Sequence, residues 1–325
     1  MVDLTVVVPV RNEAASIAEL HRELFETLAA WGRSFEIIVV DDGSTDESFE
    51  ILTRLQSADA NLRVIRFRRN FGQTAAFAAG FDHARGRYIV TMDGDLQNDP
   101  ADIPAMVAAL ERGADIVCGW RKERQDPFFS RRMPSTMANA LISIVTAVRL
   151  HDYGCSLKAF RAEIVKPMKL YGEMHRFLPA IASEQTSNID EMVVRHRPRK
   201  YGRSKYGIGR TIRVVLDLLT VKFLLTYSTR PLQIFGLIGG VMGLVGFVIS
   251  AWLAFERLIG AMSLNQHGPL LLFGILLIFT GVQLVTLGLL AELQARTYHE
   301  SQNKPTYVIR EIRQTLPVER VFSSR

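Results

Sequence analysis

The chain lacks several signatures that would place it at once. It has only two cysteines, and Cys118 and Cys155 do not have the spacing of a metal-ligand set. The sheet-like surroundings of Cys118 point instead to reduced thiols of the cytosol. No G-x-x-x-x-G-K-[ST] loop occurs, which argues against an ATPase. Nucleic-acid modules leave no trace either, so no nucleic-acid partner is expected. There is no internal repeat and no low-complexity tract. The N-terminus has no basic segment before its first apolar stretch, and a cleavable leader is not expected.

What is present is a chain of 325 residues with a net charge of +6, enough for one sizeable globular domain and an appendage. The basic residues cluster at 66–69, 121–132 and 195–213, a distribution that suits phosphate-bearing partners or an anionic membrane surface.

The first 120 residues alternate strand and helix. Apolar, β-branched runs at Leu4–Val10, Phe35–Val40, Leu62–Phe67, Tyr88–Met92 and Ala114–Gly119 read as buried strands. Helices are expected up to Trp31, up to Ser57, over Gly72–Arg85 and from Pro100. This order predicts an α/β domain whose parallel sheet is covered on both faces. Beyond it, apolar positions 133, 137, 141, 144, 145 and 148 mark one amphipathic helix and positions 208–223 another, both with basic flanks suited to a membrane interface.

Charge then disappears. Pro231–Phe255 and Gly268–Ala291 contain no charged residue. At about 1.5 Å per residue each exceeds the roughly 30 Å hydrocarbon thickness, so two transmembrane helices are expected. Their connector carries one arginine, whereas Lys222, Arg230, Arg296 and Lys304 flank the pair outside. That bias puts both termini and the α/β domain in the cytoplasm. The expected division is a catalytic domain over 1–207, a juxtamembrane helix over 208–229, membrane helices over 230–293 and a cytoplasmic tail over 294–325. Pro305–Ile309 looks strand-like but finds no place. Gly236, Gly239, Gly240 and Gly243 include close-packing spacings that would suit a homo-oligomer.

The chemistry converges on Asp93-Gly94-Asp95-Leu96-Gln97. Ligands bind at the carboxyl ends of strands in a parallel sheet, and two carboxylates one residue apart repel unless a cation joins them. Oxygen-only ligands suit Mg2+ or Mn2+, here holding a diphosphate. Adjacent strand ends bring Pro9, Arg11, Asn12 and Glu13 near Asp41 and Asp42, where carboxylates can accept from ribose hydroxyls or a base edge. A nucleotide-sugar fits this turn cluster.

Seven motifs in order carry a family resemblance: Pro9-Val10-Arg11-Asn12-Glu13, Asp41-Asp42-Gly43-Ser44-x-Asp46, Arg69-Asn70-Phe71-Gly72-Gln73, Asp93-x-Asp95-Leu96-Gln97-Asn98-x-Pro100, Gly119-Trp120-Arg121, Asp152-Tyr153-Gly154-Cys155 and Gly202-x-Ser204-Lys205-Tyr206. From Leu4 to about Glu311 the chain resembles the polyprenyl-phosphate glycosyltransferases of glycosyltransferase family 2. It looks most like the bactoprenol glucosyltransferases, and less like dolichyl-phosphate mannose synthase and the undecaprenyl-phosphate aminoarabinose transferases.

The resemblance implies a glycosyltransferase-A, Rossmann-like fold with interface helices and two membrane helices. It implies inverting transfer of a sugar from a nucleotide-sugar to polyprenyl phosphate at the bilayer, serving cell-envelope glycan modification in the inner membrane. UDP-glucose is the expected donor, with GDP-mannose, UDP-galactose and a UDP-aminoarabinose derivative as alternatives. By motif, Pro9, Arg11, Asn12, Glu13, Asp41, Asp42 and Gln73 would line the donor pocket, and Asp93, Asp95 and Gln97 would hold the metal. Arg121, Arg131, Ser135, Arg199, Ser204 and Lys205 would meet the acceptor phosphate. Asp152 matches the carboxylate given the catalytic role. Arg203 departs from the acidic or small residue that relatives often carry. A processive polysaccharide synthase would need a Gln-x-x-Arg-Trp motif, and no tryptophan here follows an arginine. A rival of another class is a membrane-tethered nucleotide sensor or lipid-flipping accessory. Removal of everything after Arg230 is expected to spare donor binding.

Overall fold

A computed structural model of the chain describes residues 2–122, 139, 142, 143, 146, 148–170, 174–198, 200–201, 231–259, 264–301 and 306–315. Contacts divide it into two compact units, Met1–Val221 with Pro305–Arg325, and Lys222–Lys304.

In the first unit the expected strands and helices form near their predicted bounds. They are β1 (Val2–Val10), α1 (Ile17–Trp31), β2 (Phe35–Asp41), α2 (Ser48–Ala58), β3 (Leu62–Phe67), α3 (Gln73–His83), β4 (Gly86–Thr91), α4 (Ile103–Glu111) and β5 (Ile116–Trp120). Helix α1 buries Ile17, Leu20, Leu24 and Leu28, spaced three and four apart, and stops at Gly32, whose φ of 75° few other residues tolerate. Before α4, Asp99 caps a short 3-10 turn by accepting from the Ala101 N–H at 3.0 Å. Strands β1, β2 and β4 are buried over most of their length, and Val6, Val8, Ile37, Val64 and Val90 share one core cluster with the buried face of α1.

The sheet corrects one expectation, because it is mixed and not parallel throughout. Further short elements follow, among them β6 (Lys158–Arg161), α5 (Ala162–Val165), α6 (Leu178–Ala182) and β7 (Ile189–Val193). The order of the eight-stranded sheet is β7-β5-β6-β4-β1-β2-β3-β8, where β8 spans Ile309–Arg313. Strands β3, β2, β1 and β4 are parallel neighbours, but β6 lies between β4 and β5 and runs antiparallel to both. The chain leaves β5, returns in the opposite direction, and occupies the edge that a parallel β5 would have taken. The strand-like tail also finds its place, a few residues later than expected, as β8 antiparallel to β3.

The second unit holds α7 (Pro231–Leu258) and α8 (Leu264–Ser301). Phe235–Leu258 and His267–Leu290 have mean hydropathies of 2.1 and 2.4, long and apolar enough to cross a membrane, and leave most of those spans unburied. Leu237 is 70% exposed and Leu272 68%, surface that water would reject. Of the glycines with close-packing spacings, Gly239 faces the second helix of the hairpin, whereas Cβ atoms added at Gly240 and Gly243 would meet nothing within 4 Å. A Cβ on Gly239 would meet the Gly281 carbonyl at 2.5 Å, and Gly246 faces the Gly274 carbonyl just as closely. Gly239 and Gly246 on α7 thus let the backbone of α8 approach within the hairpin itself. Of the expected helix 133–148, residues 139, 142, 143 and 146 are described and helical, and Val148, also described, is not; the helix expected over 208–223 lies outside the described residues.

Candidate active site

The carboxyl ends of β1, β2 and β4 are adjacent, and their turns are wired to one another. Asp42 N–H donates to the Val10 carbonyl at 2.9 Å, and Met92 N–H to the Val7 carbonyl at 3.2 Å. The Asn12 N–H donates to Ser44 Oγ at 3.0 Å, and Asn12 Oδ1 accepts from the Thr45 N–H at 2.8 Å. Buried Ser16 donates from Oγ to the Gly94 carbonyl at 2.9 Å. Asn12 and Leu96 hold left-handed backbones, φ 55° and 63°, an arrangement that costs energy in non-glycine residues and marks sites fixed by their surroundings. Leu96 offsets that cost by burying its side chain in the core cluster.

Asp42 is not a free carboxylate. Its Oδ1 and Oδ2 accept from the Phe71 and Gly72 N–H groups at 2.6 and 3.0 Å, fastening the Arg69–Gln73 loop over the end of β2. Burial pushes its pKa up, against the pull of those two hydrogen bonds. Gly43 lets the loop come close: a Cβ there would sit 2.6 Å from the Arg69 carbonyl carbon, and its φ is 67°. Asp41 is fully buried, with Oδ1 accepting from the Ser44 N–H at 2.9 Å. Arg11 is exposed, and Glu13 is held at its N–H by Ser48 Oγ and at its carboxylate by Ser16 Oγ.

Gln73 Nε2, at the start of α3, donates to Asp93 Oδ1 at 2.7 Å. Burial first, and the Asp95 charge second, push the pKa of Asp93 up. Ser156 donates to the same carboxyl and binds Asn98 Nδ2 at 2.7 Å. Asp95 Oδ1 accepts from the Gln97 N–H at 3.2 Å. Gln97 points its amide nitrogen at the Arg197 carbonyl, 3.5 Å away. Among the described residues no three His, Cys, Asp or Glu side chains converge as a complete metal cage. Asp93 and Asp95 still fit a hard divalent cation, because such ions bind through one or two carboxylates and leave their other positions to phosphate oxygens and water.

Beside them Arg121 and Asp152 form a bidentate pair, Nε to Oδ2 at 2.7 Å and Nη2 to Oδ1 at 3.0 Å. Burial opposes the charge on Arg121, and the bonds to Asp152 outweigh it, so its pKa is raised. Glu191 fixes the turn from below by accepting from the N–H groups of His151 and Asp152 at 2.9 and 3.1 Å. Trp120 stacks on His151 with ring centroids 4.2 Å apart.

Arg131, Ser135, Arg199, Ser204 and Lys205 lie outside the described residues. Part of the basic run near them is already engaged with acids: Arg195 with Asp102 at 3.0 Å, Arg197 with Asp99 and Glu23 at 3.0 and 2.8 Å, and Lys200 with Glu19 at 2.8 Å. Sequence reasoning missed Ser156, Glu191 and Lys158. Lys158 is buried beside Thr91 on β4 and bonds the Cys155 carbonyl. A lysine inside the apolar stretch Leu157–Phe160 was the available signal.

A model of the family described as glycosyl transferase family 2 matches residues 5–168. The chain is 46% identical to dodecaprenyl-phosphate galacturonate synthase of Rhizobium johnstonii, over 95% of this chain and 93% of that protein. It is 39% identical to undecaprenyl-phosphate 4-deoxy-4-formamido-L-arabinose transferase of Pseudomonas aeruginosa, over 97% and 91%. Its fold is similar to that of glucosyl-3-phosphoglycerate synthase from Mycobacterium tuberculosis, solved with Mn2+ and UDP-glucose. There the TM-score is 0.52 at 19% identity, covering 68% of this chain and 78% of that one. The chain therefore belongs to glycosyl transferase family 2.

Proposed function

We propose that this protein transfers a sugar from a uridine-diphosphate sugar to a polyprenyl phosphate at the membrane surface. The observation that carries the reading is the Asp93–Asp95 pair at the end of β4, its first carboxylate held by Gln73 and pushed toward protonation by burial and by its neighbour. A cation there would be Mg2+ or Mn2+, and when bound it supplies neutralisation of the donor diphosphate. Asp41 and Asp42 close the other side of the donor pocket, with Pro9, Arg11, Asn12, Glu13 and Gln73 around it.

The sugar is a galacturonate-type uronate in place of the expected glucose. Support comes from the 46% identical relative, named for galacturonate, while the 39% identical one is named for a modified arabinose. At the acceptor, the second pKa of a phosphate monoester is about 6, so most of it is already a dianion at neutral pH. Repulsion is the larger barrier: like charges at 4 Å cost about 4 kcal/mol at an effective dielectric of 20. Arg121 answers it, and Asp152 sets the direction of Arg121. Because both oxygens of Asp152 already accept from that guanidinium, its part is to orient charge more than to take a proton.

Strands on both sides of the α7–α8 hairpin belong to one sheet, an arrangement that an even number of membrane crossings suits. With the basic flanks at Lys222, Arg230, Arg296 and Lys304, that favours a two-helix protein of the inner membrane with its catalytic unit in the cytoplasm.

The test offers purified full-length protein UDP-galacturonate, UDP-glucuronate, UDP-glucose and UDP-4-deoxy-4-formamido-L-arabinose with undecaprenyl phosphate, with and without Mn2+. Metal-dependent release of UDP together with a glycolipid from UDP-galacturonate is the expected result. UDP release without lipid product, or product from UDP-glucose alone, would overturn the acceptor or the sugar respectively.

A further inference from the structure

Three charged residues lie side by side in one row across β2, β3 and β8: Asp41 is in register with Arg66, and Arg66 with Glu311. The Arg66 guanidinium is strung between the other two, Nε 3.5 Å from Asp41 Oδ2 and Nη1 3.7 Å from Glu311 Oε1, and it rests over the Phe49 ring at 3.9 Å. Asp41 has no exposed surface, yet its Oδ2 has no hydrogen-bond partner among the described residues. A buried carboxylate oxygen without a donor is costly, and Arg66 stops just short of being that donor. Glu311, pulling from the opposite side, accounts for where it stops.

Glu311 belongs to the segment that follows the membrane hairpin. Strand β8 is joined to the catalytic unit by its ladder to β3, by the Arg68 N–H to Val308 carbonyl bond at 3.0 Å, and by Tyr307, which stacks on Phe67 and donates to Asp82 at 2.7 Å. The end of β2 thus owes its electrostatic setting to a residue about 270 positions downstream, Glu311.

We infer that Glu311 and Arg66 are positioning residues for donor binding: Glu311 holds Arg66 off Asp41, and the buried Asp41 carboxylate, bonded to the Ser44 N–H, keeps the turn after β2 in the shape that meets the nucleotide. The inference rests on the reading of Asp41 as part of the donor pocket. Without Glu311 the guanidinium closes on Asp41, draws its carboxylate away from the Ser44 N–H and shifts the turn that lines the donor pocket. The tail strand is then a working part of the donor site, whose sequence is split by the two membrane helices.

The test uses the full-length protein in detergent, UDP with Mn2+ as the calorimetric probe, and steady-state kinetics. Glu311→Gln should weaken UDP binding and raise donor KM about fivefold, the size of an ordinary charge coupling, while kcat and acceptor KM stay near the wild-type values. Arg66→Met should weaken UDP binding at least as much, Arg66→Lys should recover part of it, and adding Glu311→Gln to Arg66→Met should change nothing further. Thr315→Val serves as the control, because it removes the 3.0 Å bond from Gln56 Nε2 beyond the far end of β8. It should lower the melting temperature and leave UDP affinity alone. Equal weakening by Thr315→Val and Glu311→Gln would reduce the effect to strand docking and overturn the inference, as would additive effects at 66 and 311. Absence of UDP binding by the wild-type chain would overturn the donor reading, and the inference with it.

Discussion

Arg121 and Asp152 meet through two parallel hydrogen bonds, and the same carboxylate also accepts from the Gly154 N–H at 3.1 Å. A fork of this kind fixes the plane of the guanidinium as well as its charge. The arginine expected to meet the acceptor and the aspartate expected to act on it are therefore one device.

Asp152→Asn should lower kcat/KM for polyprenyl phosphate about 100-fold at pH 7, with the same factor at pH 8, since loss of one partner leaves a mostly buried arginine unpaired and misdirected. Arg121→Lys keeps the charge and loses the fork, so it should raise acceptor KM and leave donor KM unchanged. Near-normal turnover of Asp152→Asn at pH 7, failing only at lower pH where the acceptor is the singly protonated monoanion, would assign Asp152 as a base instead.

Asp93 is a buried carboxylate whose pKa burial and the neighbouring Asp95 push up. Asp93→Asn should raise the melting temperature of the metal-free protein by about 2–4 °C, the effect of ~1 kcal/mol in a domain of this size. It should also abolish transfer and the thermal shift expected of the wild type with Mn2+. A destabilised variant that still responds to Mn2+ would place the cation elsewhere.

These two sites were legible to different depths. Asp41, Asp42, Asp93 and Asp95 could be placed together because each ends a long apolar strand, and parallel neighbours put such ends side by side. Strands β6, β7 and β8 could not. Each is only four or five residues long and is interrupted by charge, at Lys158 and Arg161, at Asp190 and Glu191, and at Arg310, Glu311 and Arg313. Their pairing partners are 40 to 250 residues away, so no local pattern announces them. For the same reason the arginines of the basic clusters looked free, while Arg66 and Arg121 are tied to carboxylates from other strands and turns.

Asp42 gives a pH dependence of stability. Its folded-state pKa lies above the ordinary 3.8, so the stabilisation it provides is full below that value and is lost as pH rises through the folded-state pKa. Asp42→Asn does not titrate. The melting-temperature advantage of the wild type over Asp42→Asn, followed from pH 3.5 upward at about half-unit steps in nucleotide-free protein, should therefore shrink with rising pH and then level off. An advantage that grows with pH would mean that the Phe71 and Gly72 hydrogen bonds outweigh burial.

The membrane hairpin should be separable from donor binding only if β8 is kept. Cutting the chain after Arg230 removes Tyr307 from its stack on Phe67 and strips β3 of its neighbour, leaving a row of unpaired backbone groups on an apolar edge. That truncation should aggregate or bind UDP poorly. Replacing 231–304 with a flexible Gly/Ser linker restores the β3–β8 ladder. The linked protein should be soluble, bind UDP with Mn2+ within about twofold of the full-length chain, and glycosylate short-chain isoprenyl phosphates in preference to bilayer-embedded undecaprenyl phosphate. The reason is that a long polyprenyl tail cannot follow its headgroup into water without exposing a large apolar area. Equal activity of the linked protein on the bilayer-embedded acceptor would remove the hairpin from acceptor delivery, and good UDP binding by the simple truncation would remove β8 from the donor site.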